Sequence, residues 1–257
     1  MRKIVVGMDG SPAARAALRW SVHEARLHGA QLEALYAWTL LGQPGRLVTD
    51  FDEEHALEAL QLWIAAATSD ATDVEPRVTC DLAPSALADA STDAELVVIG
   101  SRGLGGCRSL LLGSVSTSVA ERSHCPVAVV RETAVHTIGP VVVGVDGSTT
   151  SIAALRWAVR EAHARNVPLE LVHARSGRED VAEHHLTDAM AAVDLGGLVV
   201  HRHVVEASPA AALVRWSDTA AVLVVGSRGR GTVASAVLGS TSRHVLRHAH
   251  CPVVVVR

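Results

Sequence analysis

Two glycine- and serine-rich stretches have the residue types and spacing that could do chemistry. "GSRGLGGCRSLLLGS" begins at residue 100 and "GSRGRGTVASAVLGS" at residue 226, and both reduce to G-x2-G-x9-G-S. Glycine lets backbone N–H groups approach a ligand without an intervening side chain. A helix start after the last glycine would add more N–H groups, with Ser114, Ser116, Ser240 or Ser242 expected as helix caps. An ordinary loop, in which the glycines form turns and the serines cap helices, would use the same residues. Two copies with intact spacing favour a site for a phosphate or another anion.

An aspartate follows an apolar run in each half of the chain. Asp9 comes after "KIVVG" and Asp146 after "PVVVG". In a doubly wound sheet such a residue lies at the carboxyl edge of the strands, where ligands bind. A carboxylate there can accept hydrogen bonds from a ribose hydroxyl or a base amine, although a turn or a helix cap uses the same residue. The two roles are compatible, so both stay open.

The elements that must position these residues occur twice. "KIVVGMDGSPAARAALRW" from residue 3 matches "PVVVGVDGSTTSIAALRW" from residue 140, and "HCPVAVVR" from 124 matches "HCPVVVVR" from 250. The first copy is longer, and "LLGQPGRLVTDFDEE" from residue 40 is the expected place of the extra residues. We therefore predict two domains, residues 1–134 and 138–257.

Each copy alternates apolar runs with helical patterns. Strands joined by helical crossovers form a mostly parallel sheet covered on both faces. Each copy contains five candidate strands, the last being "PVAVV" or "PVVVV". The predicted fold class is α/β, with two tandem doubly wound domains.

Composition excludes several function classes. A net charge of -4 over 257 residues gives no basic surface for nucleic acid. The sequence contains no long uncharged apolar stretch, so no membrane span is predicted. We expect a cytoplasmic protein. Lys3 is the sole lysine and no "GxxxxGK[ST]" motif occurs, so no lysine can reach a phosphate as in a P-loop enzyme. An efficient NTPase is not expected, whereas slow hydrolysis or autophosphorylation stays open, and no catalytic residue is assigned.

Histidines near the end of the chain could form a metal site. His244 and His248 have i,i+4 spacing, with His250 and Cys251 just beyond. The first copy has Ser118 and Arg122 at the first two of these positions. We interpret the histidines as surface residues and predict no metal site.

The "V-G-x-D-G-S" strand end, the "G-S-R-G" turn with its later "G-S" and the closing "HCPV" run together resemble the universal stress protein family in its tandem-domain form. The resemblance covers nearly the whole chain. It implies a flavodoxin-like fold and membership of the ATP-binding subset, with Mg²⁺ on the phosphates. It also implies an internal pseudo-dimer through the last strands, pairing of two chains into a homodimer, and a protein partner of unknown identity.

The resemblance also implies site residues by position. The adenosine end of the nucleotide would lie near Gly7, Asp9 and Ala37 in the first copy and near Gly144, Asp146 and Ala174 in the second. The ribose and phosphates of the first copy would meet Gly100, Arg102, Gly103, Gly113, Ser114, Val115 and Ser116. Those of the second would meet Gly226, Arg228, Gly229, Gly239, Ser240, Thr241 and Ser242. The two alanines stand where the family often has valine.

The predicted function is an ATP-binding regulatory protein of the stress response. A nucleotide-independent interaction or chaperone-like protein, which keeps the glycines for structure, is the first alternative. A weak ATPase or phosphotransferase is the second.

Overall fold

The computed structural model of the protein describes residues 2–39, 52–68, 73–104, 112–133, 138–175, 179–229 and 238–257. The chain divides into two compact units, Met1–Glu132 and Thr133–Arg257. The domain bounds 1–134 and 138–257 stay a prediction, because residues 134–137 lie outside the described ranges. Most of the stretch expected to hold the extra residues of the first copy, residues 40–51, also lies outside them.

The first unit alternates strands and helices throughout. Its elements are β1 (Lys3–Gly7), α1 (Pro12–His28), β2 (Gln31–Trp38), α2 (Glu53–Ala67), β3 (Val74–Cys80), α3 (Ala83–Ala90), β4 (Leu96–Gly100), α4 (Ser114–Arg122) and β5 (Val127–Val130). Its strands lie in the order β3-β2-β1-β4-β5, and neighbouring strands are parallel.

The second unit repeats this plan. Its elements are β6 (Val141–Gly144), α5 (Thr149–Arg165), β7 (Leu169–Arg175), α6 (Glu179–Ala191), β8 (Val200–Glu206), α7 (Pro209–Trp216), β9 (Val222–Gly226), α8 (Ser240–His248) and β10 (Val253–Val256). Its strands lie in the order β8-β7-β6-β9-β10, again with parallel neighbours. The predicted class of two tandem doubly wound domains is confirmed.

The strand order fixes where ligands can bind. Both units have the 3-2-1-4-5 order of the dinucleotide-binding type of doubly wound sheet, whereas flavodoxin itself has 2-1-3-4-5. The order reverses between β1 and β4 in the first unit and between β6 and β9 in the second. At such a switch point the connections leave in opposite directions and open a crevice beyond the carboxyl ends of the strands. Asp9, Asp146 and both glycine patterns follow these strands.

Local sequence sets the ends of the first helix of each unit. Ser11 and Ser148 accept hydrogen bonds from backbone N–H groups of the first turn, and α1 and α5 therefore begin after these serines. Gly29 and Asn166 stop the helices in the left-handed conformation, at φ 59° and 54°. Within the described ranges, no helix has the length and apolar character needed to cross a membrane.

The cysteines of the repeated "HCP" are buried. Burial raises the pKa of Cys125 to about 11 and that of Cys251 to about 12, so both side chains are protonated thiols at neutral pH. Cys80 is exposed, and Cys107 lies outside the described residues.

Candidate nucleotide site

A cavity opens at the switch point of the second unit. Its volume is about 320 Å³, within the usual size range of ligand pockets. All residues predicted for the second copy line it: Gly144, Asp146, Ala174, Gly226, Arg228, Gly229, Gly239, Ser240, Thr241 and Ser242. The residues predicted from the repeat pattern of the second copy therefore lie together around one cavity.

The sequence analysis missed the apolar wall of this cavity. Val172 lies on β7 two residues before Ala174, on the same face of the strand, while Pro209 and Leu213 come from α7. The remaining missed residues are Val145, Ser151 and Val225. Ser208 followed by Pro209 is a typical helix start, and this signal could have revealed α7.

The aspartate of each unit is built into the turn after the first strand. Asp146 Oδ1 accepts hydrogen bonds from the Ser148 amide at 3.0 Å and from the Ser148 hydroxyl at 2.6 Å. Asp9 Oδ1 accepts one from the Ser11 amide at 2.9 Å. Serine, and not aspartate, is the helix cap in both units. The carboxylate nevertheless lies at the sheet edge beside the glycine loop, so its turn role and its predicted site position coexist.

The first glycine of each pattern is required by close packing against backbone atoms, and the second lies against the carboxylate of the aspartate. A Cβ atom at Gly229 would lie 2.7 Å from Asp146 Oδ2, and one at Gly103 would collide with Asp9 Oδ2. A Cβ atom at Gly100 would lie 2.7 Å from the carbonyl carbon of Ala13 at the start of α1. These glycines bring strand end, aspartate and helix together.

The third glycine is different, because no neighbour among the described residues requires it. A Cβ atom at Gly113 would have its nearest neighbours at 3.5 Å, and one at Gly239 at 3.4 Å, which is close to ordinary contact distance. Their φ angles of -75° and -60° suit any residue. A bare backbone at a helix start lets an anion approach the N–H groups of the first turn.

The helix starts that follow differ in one respect from the sequence expectation. Ser114, Ser116, Ser240 and Ser242 were expected as caps, but Gly113 and Gly239 occupy the N-cap positions without any side-chain cap bond. The expectation of serine caps is wrong. Ser116 Oγ instead donates to the carbonyl of Gly100 at 2.8 Å, and Ser242 Oγ to that of Gly226 at 2.7 Å. These bonds fasten each helix start to a strand end and leave the backbone N–H groups of the first turn facing outward.

The first unit has the same framework. The Gly113 amide donates to the carbonyl of Ser101 at 2.8 Å, just as the Gly239 amide donates to that of Ser227. Gly7, Ala37, Arg102 and Val115 lie in the described ranges, while residues 105–111 of the loop lie outside them. Burial, and after it the positive charge of Arg102, lower the pKa of Arg131. A bound anion would relieve this repulsion.

Behind the aspartate turn the two units carry different side chains. In the first, Trp63 of α2 lies against Gly10 and meets Tyr36 edge-on, with ring centroids 4.9 Å apart. In the second, His185 of α6 lies against Gly147, and its ring centroid is 5.3 Å from that of His173. Burial, and after it the Asp9 carboxylate, raise the pKa of Tyr36. The two sites therefore share a backbone and differ in their supporting rings.

The match to known proteins agrees with this geometry. A model of the universal stress protein family matches residues 1–131 and again residues 137–257. This chain belongs to the universal stress protein family. A universal stress protein of Mycobacterium tuberculosis is 35% identical over 99% of this chain and 96% of its own length. The resemblance inferred from the motifs is confirmed.

A solved universal stress protein shares the fold of the whole chain. It comes from Archaeoglobus fulgidus and covers 99% of this chain and 98% of its own, with a TM-score of 0.74 at 23% identity. Another universal stress protein, solved in complex with cAMP, covers 51% of this chain and 97% of its own at 28% identity, with a TM-score of 0.38.

Proposed function

We propose that this universal stress protein binds one ATP in each unit and acts as a nucleotide-dependent regulatory protein of the cytoplasmic stress response. The observation that carries the proposal is the cavity at the switch point of the second unit, which the glycine pattern, Asp146 and the start of α8 line together. The shared framework extends the proposal to the first unit.

The phosphates would bind where α8 begins. Its first turn has backbone N–H groups without intrahelical partners, and the helix dipole favours negative charge there. Gly239 keeps the approach open, and Ser240 and Thr241 add hydroxyl groups in the cavity lining. Arg228 in the same lining supplies positive charge for a polyphosphate.

The adenosine would occupy the opposite part of the cavity. Asp146 is the acceptor for ribose hydroxyls or the base amine, and Val172, Ala174 and Leu213 form an apolar wall against which a flat base can pack. Ala174 is small, so this wall leaves more room than valine would.

We further propose that Mg²⁺ accompanies the nucleotide on its phosphates. Among the described residues that line the cavity, Asp146 is the sole carboxylate, and it already accepts two hydrogen bonds from Ser148, so it is poorly disposed to hold a cation alone. Mg²⁺ commonly keeps several waters and binds substrate phosphates directly. Lys3, the chain's one lysine, lies 3.0 Å from Glu33 in an ion pair, so it does not serve the phosphates. Binding, rather than fast turnover, is the proposed activity.

Nucleotide content of the purified protein tests the proposal. ATP is measured after denaturation, and after reloading at millimolar ATP, in wild type, Gly113→Ala, Gly239→Ala and the double variant. We expect each single variant to lose one of the two ATP equivalents and the double variant to lose both, because the new methyl group occupies the path of the phosphates. Circular dichroism checks that the fold is retained.

Two results would oppose this function. A double variant that loads ATP as well as wild type would reduce the third glycines to turn residues. Wild type that takes up no ATP would favour a nucleotide-independent partner-binding protein, through the internal pseudo-dimer or a homodimer that the family resemblance implies.

A further inference from the structure

A cluster of one glutamate and two histidines lies on the sheet of the second unit. Glu170 on β7 is directly opposite His201 on β8 in the strand register, and His203 follows two residues later on the same face. The two imidazoles contact the two carboxylate oxygens, at 2.9 Å for His201 Nδ1 and 2.5 Å for His203 Nε2. We propose that Glu170, His201 and His203 form a binding site for a divalent transition-metal ion of the Zn²⁺ type.

The donor set suits such an ion. Neutral imidazole nitrogen and carboxylate oxygen are the ligands of catalytic-type zinc sites, which use three protein groups and leave one position to water. Alternate residues of one strand point to the same face, so a His-x-His pair with a third ligand from the adjacent strand can converge on one ion. The sequence shows only the His-x-His pair, and the strand register adds the carboxylate.

The cluster has one largely buried side chain and one that is exposed to solvent. The Glu170 side chain is 12% exposed, whereas His201 is 52% exposed and lies on β8, the outer strand of this sheet. The described donor atoms do not yet surround a single point, because the imidazoles contact opposite oxygens of the carboxylate. The exposed His201 ring is the group that can rotate to close the site. The ion would then accept the lone pairs of these ring nitrogens, and the protons displaced from them would be released to solvent.

The third side of the cluster is formed by Trp216 of α7. Its ring centroid lies 4.3 Å from that of His203, with the planes tilted by 43°. This contact limits rotation of the His203 ring, as second-layer groups do for metal-bound histidines. It also places a fluorophore next to the proposed ion.

The first unit shows what this sheet position looks like without a metal ligand set. Glu33 is directly opposite Glu75, and Arg77 occupies the position that His203 has in the second unit. Glu33 is paired with Lys3 at 3.0 Å and with Arg77 at 3.2 Å. Permanent cations therefore neutralise this carboxylate, while Glu170 has two imidazoles whose neutral nitrogens could bind a metal ion, the displaced protons passing to solvent.

A Co²⁺ titration of the full chain tests the site, since Co²⁺ takes the same ligands as Zn²⁺ and absorbs visible light. We expect one Co²⁺ per chain to produce a d–d band, to quench Trp216 and to be displaced by Zn²⁺. The variant His201→Glu/His203→Arg installs the residues of the first unit and should fold. It should lose the band, with affinity reduced by more than about tenfold.

Two further variants separate this site from others. His244→Ala/His248→Ala removes a second histidine pair, whose rings stack 4.3 Å apart on α8, and should keep the band. Trp216→Phe should keep the band and lose the quenching. Either of two results would overturn the proposal: a band that survives in His201→Glu/His203→Arg, or no band in wild type at millimolar Co²⁺. The three residues would then form a hydrogen-bonded cluster that binds no metal. ATP binding is measured separately, so either proposal can fail alone.

Discussion

Gly100 and Gly113 belong to one loop pattern, yet a methyl group at each would meet different surroundings. At Gly100 it would lie 2.7 and 2.8 Å from backbone atoms of Ala13 and Ala14, which cannot rotate away. We expect Gly100→Ala to lower the free energy of unfolding by about 1–3 kcal/mol, the usual cost of overpacking. Gly113→Ala should stay within about 0.5 kcal/mol of wild type.

Urea unfolding of both variants measures this difference. Equal losses would mean that the third glycine also has a structural role, and would weaken its use as a test of nucleotide binding. The pair Gly226→Ala and Gly239→Ala repeats the comparison in the second unit, where a methyl group at position 226 would lie 2.8 Å from Thr150 Oγ1.

Tyr36 reports the charge of Asp9, because it is the single tyrosine of the chain. Burial, and after it Asp9, raise its pKa above the ordinary 10.0. Asp9→Asn should lower the pKa of Tyr36 part of the way, since burial remains, while Asp146→Asn in the other unit should leave it unchanged. Alkaline titration of tyrosinate absorbance measures both. An unchanged pKa in Asp9→Asn would place the carboxylate too far away to act.

The raised pKa also has a consequence for stability. Folding favours the protonated phenol of Tyr36, so this contribution is present below about pH 10. It is lost as the pH rises through the Tyr36 pKa of the folded state. Asp9→Asn should bring this pKa closer to that of the unfolded chain, so the stabilisation should be lost at a lower pH.

The sequence pattern predicted the polar residues that line the cavity better than the apolar ones. Spacing in two copies pointed to Gly239, Ser240 and Asp146, because backbone approach and charge restrict these positions to few residue types. Val172 and Leu213 are ordinary core residues by type, and only the packing of α7 on β7 turns them toward the cavity. Such positions cannot be told from other core positions by sequence alone.

At the scale of elements, α3 and α7 offer a matched test of helix capping. Both N-cap residues have extended backbone, with φ -71° at Leu82 and -66° at Ser208, but only Ser208 provides a side-chain bond, to the Ala211 amide at 3.3 Å. Ser208→Ala should lower the free energy of unfolding by about 1 kcal/mol, and Leu82→Ser should raise it by a similar amount. Chemical unfolding checks both; a destabilised Leu82→Ser variant would show that this exposed leucine has a packing role.

Most elements of the fold could be predicted from the sequence. The first, fourth and fifth strands of each unit are apolar runs that end at a glycine or follow a proline, and the burial of all four residues of β5 and of β10 shows why no polar alternation is needed. The two helices that escaped notice, α3 and α7, have only eight residues each, too few for a clear period. The order 3-2-1-4-5 depends on crossovers between distant strands and is not encoded in any local pattern.

At the scale of the whole molecule, duplication has preserved the backbone of the two sites and changed what supports it. When the two copies are aligned on their fourth strands, Trp63 corresponds to Ala189 in the sequence. In the structure, however, the side chain that lies against the aspartate turn of the second unit is His185. The two second helices are thus shifted by about one turn relative to the sequence repeat. A difference of this kind depends on how the helix docks, so the sequence could not reveal it.

This asymmetry gives the first site its own optical signal. Trp63 lies against Gly10 in the turn that carries Asp9, whereas the second unit has a histidine there. We expect ATP to change tryptophan fluorescence in wild type and in Gly239→Ala, where the first site is intact. Gly113→Ala should still bind ATP at the second site but show no change in tryptophan fluorescence. Trp63→Phe should bind two ATP, also without a change in fluorescence. If the fluorescence change instead followed occupancy of the second site, the two units would be coupled, and ATP at one would alter the aspartate turn of the other.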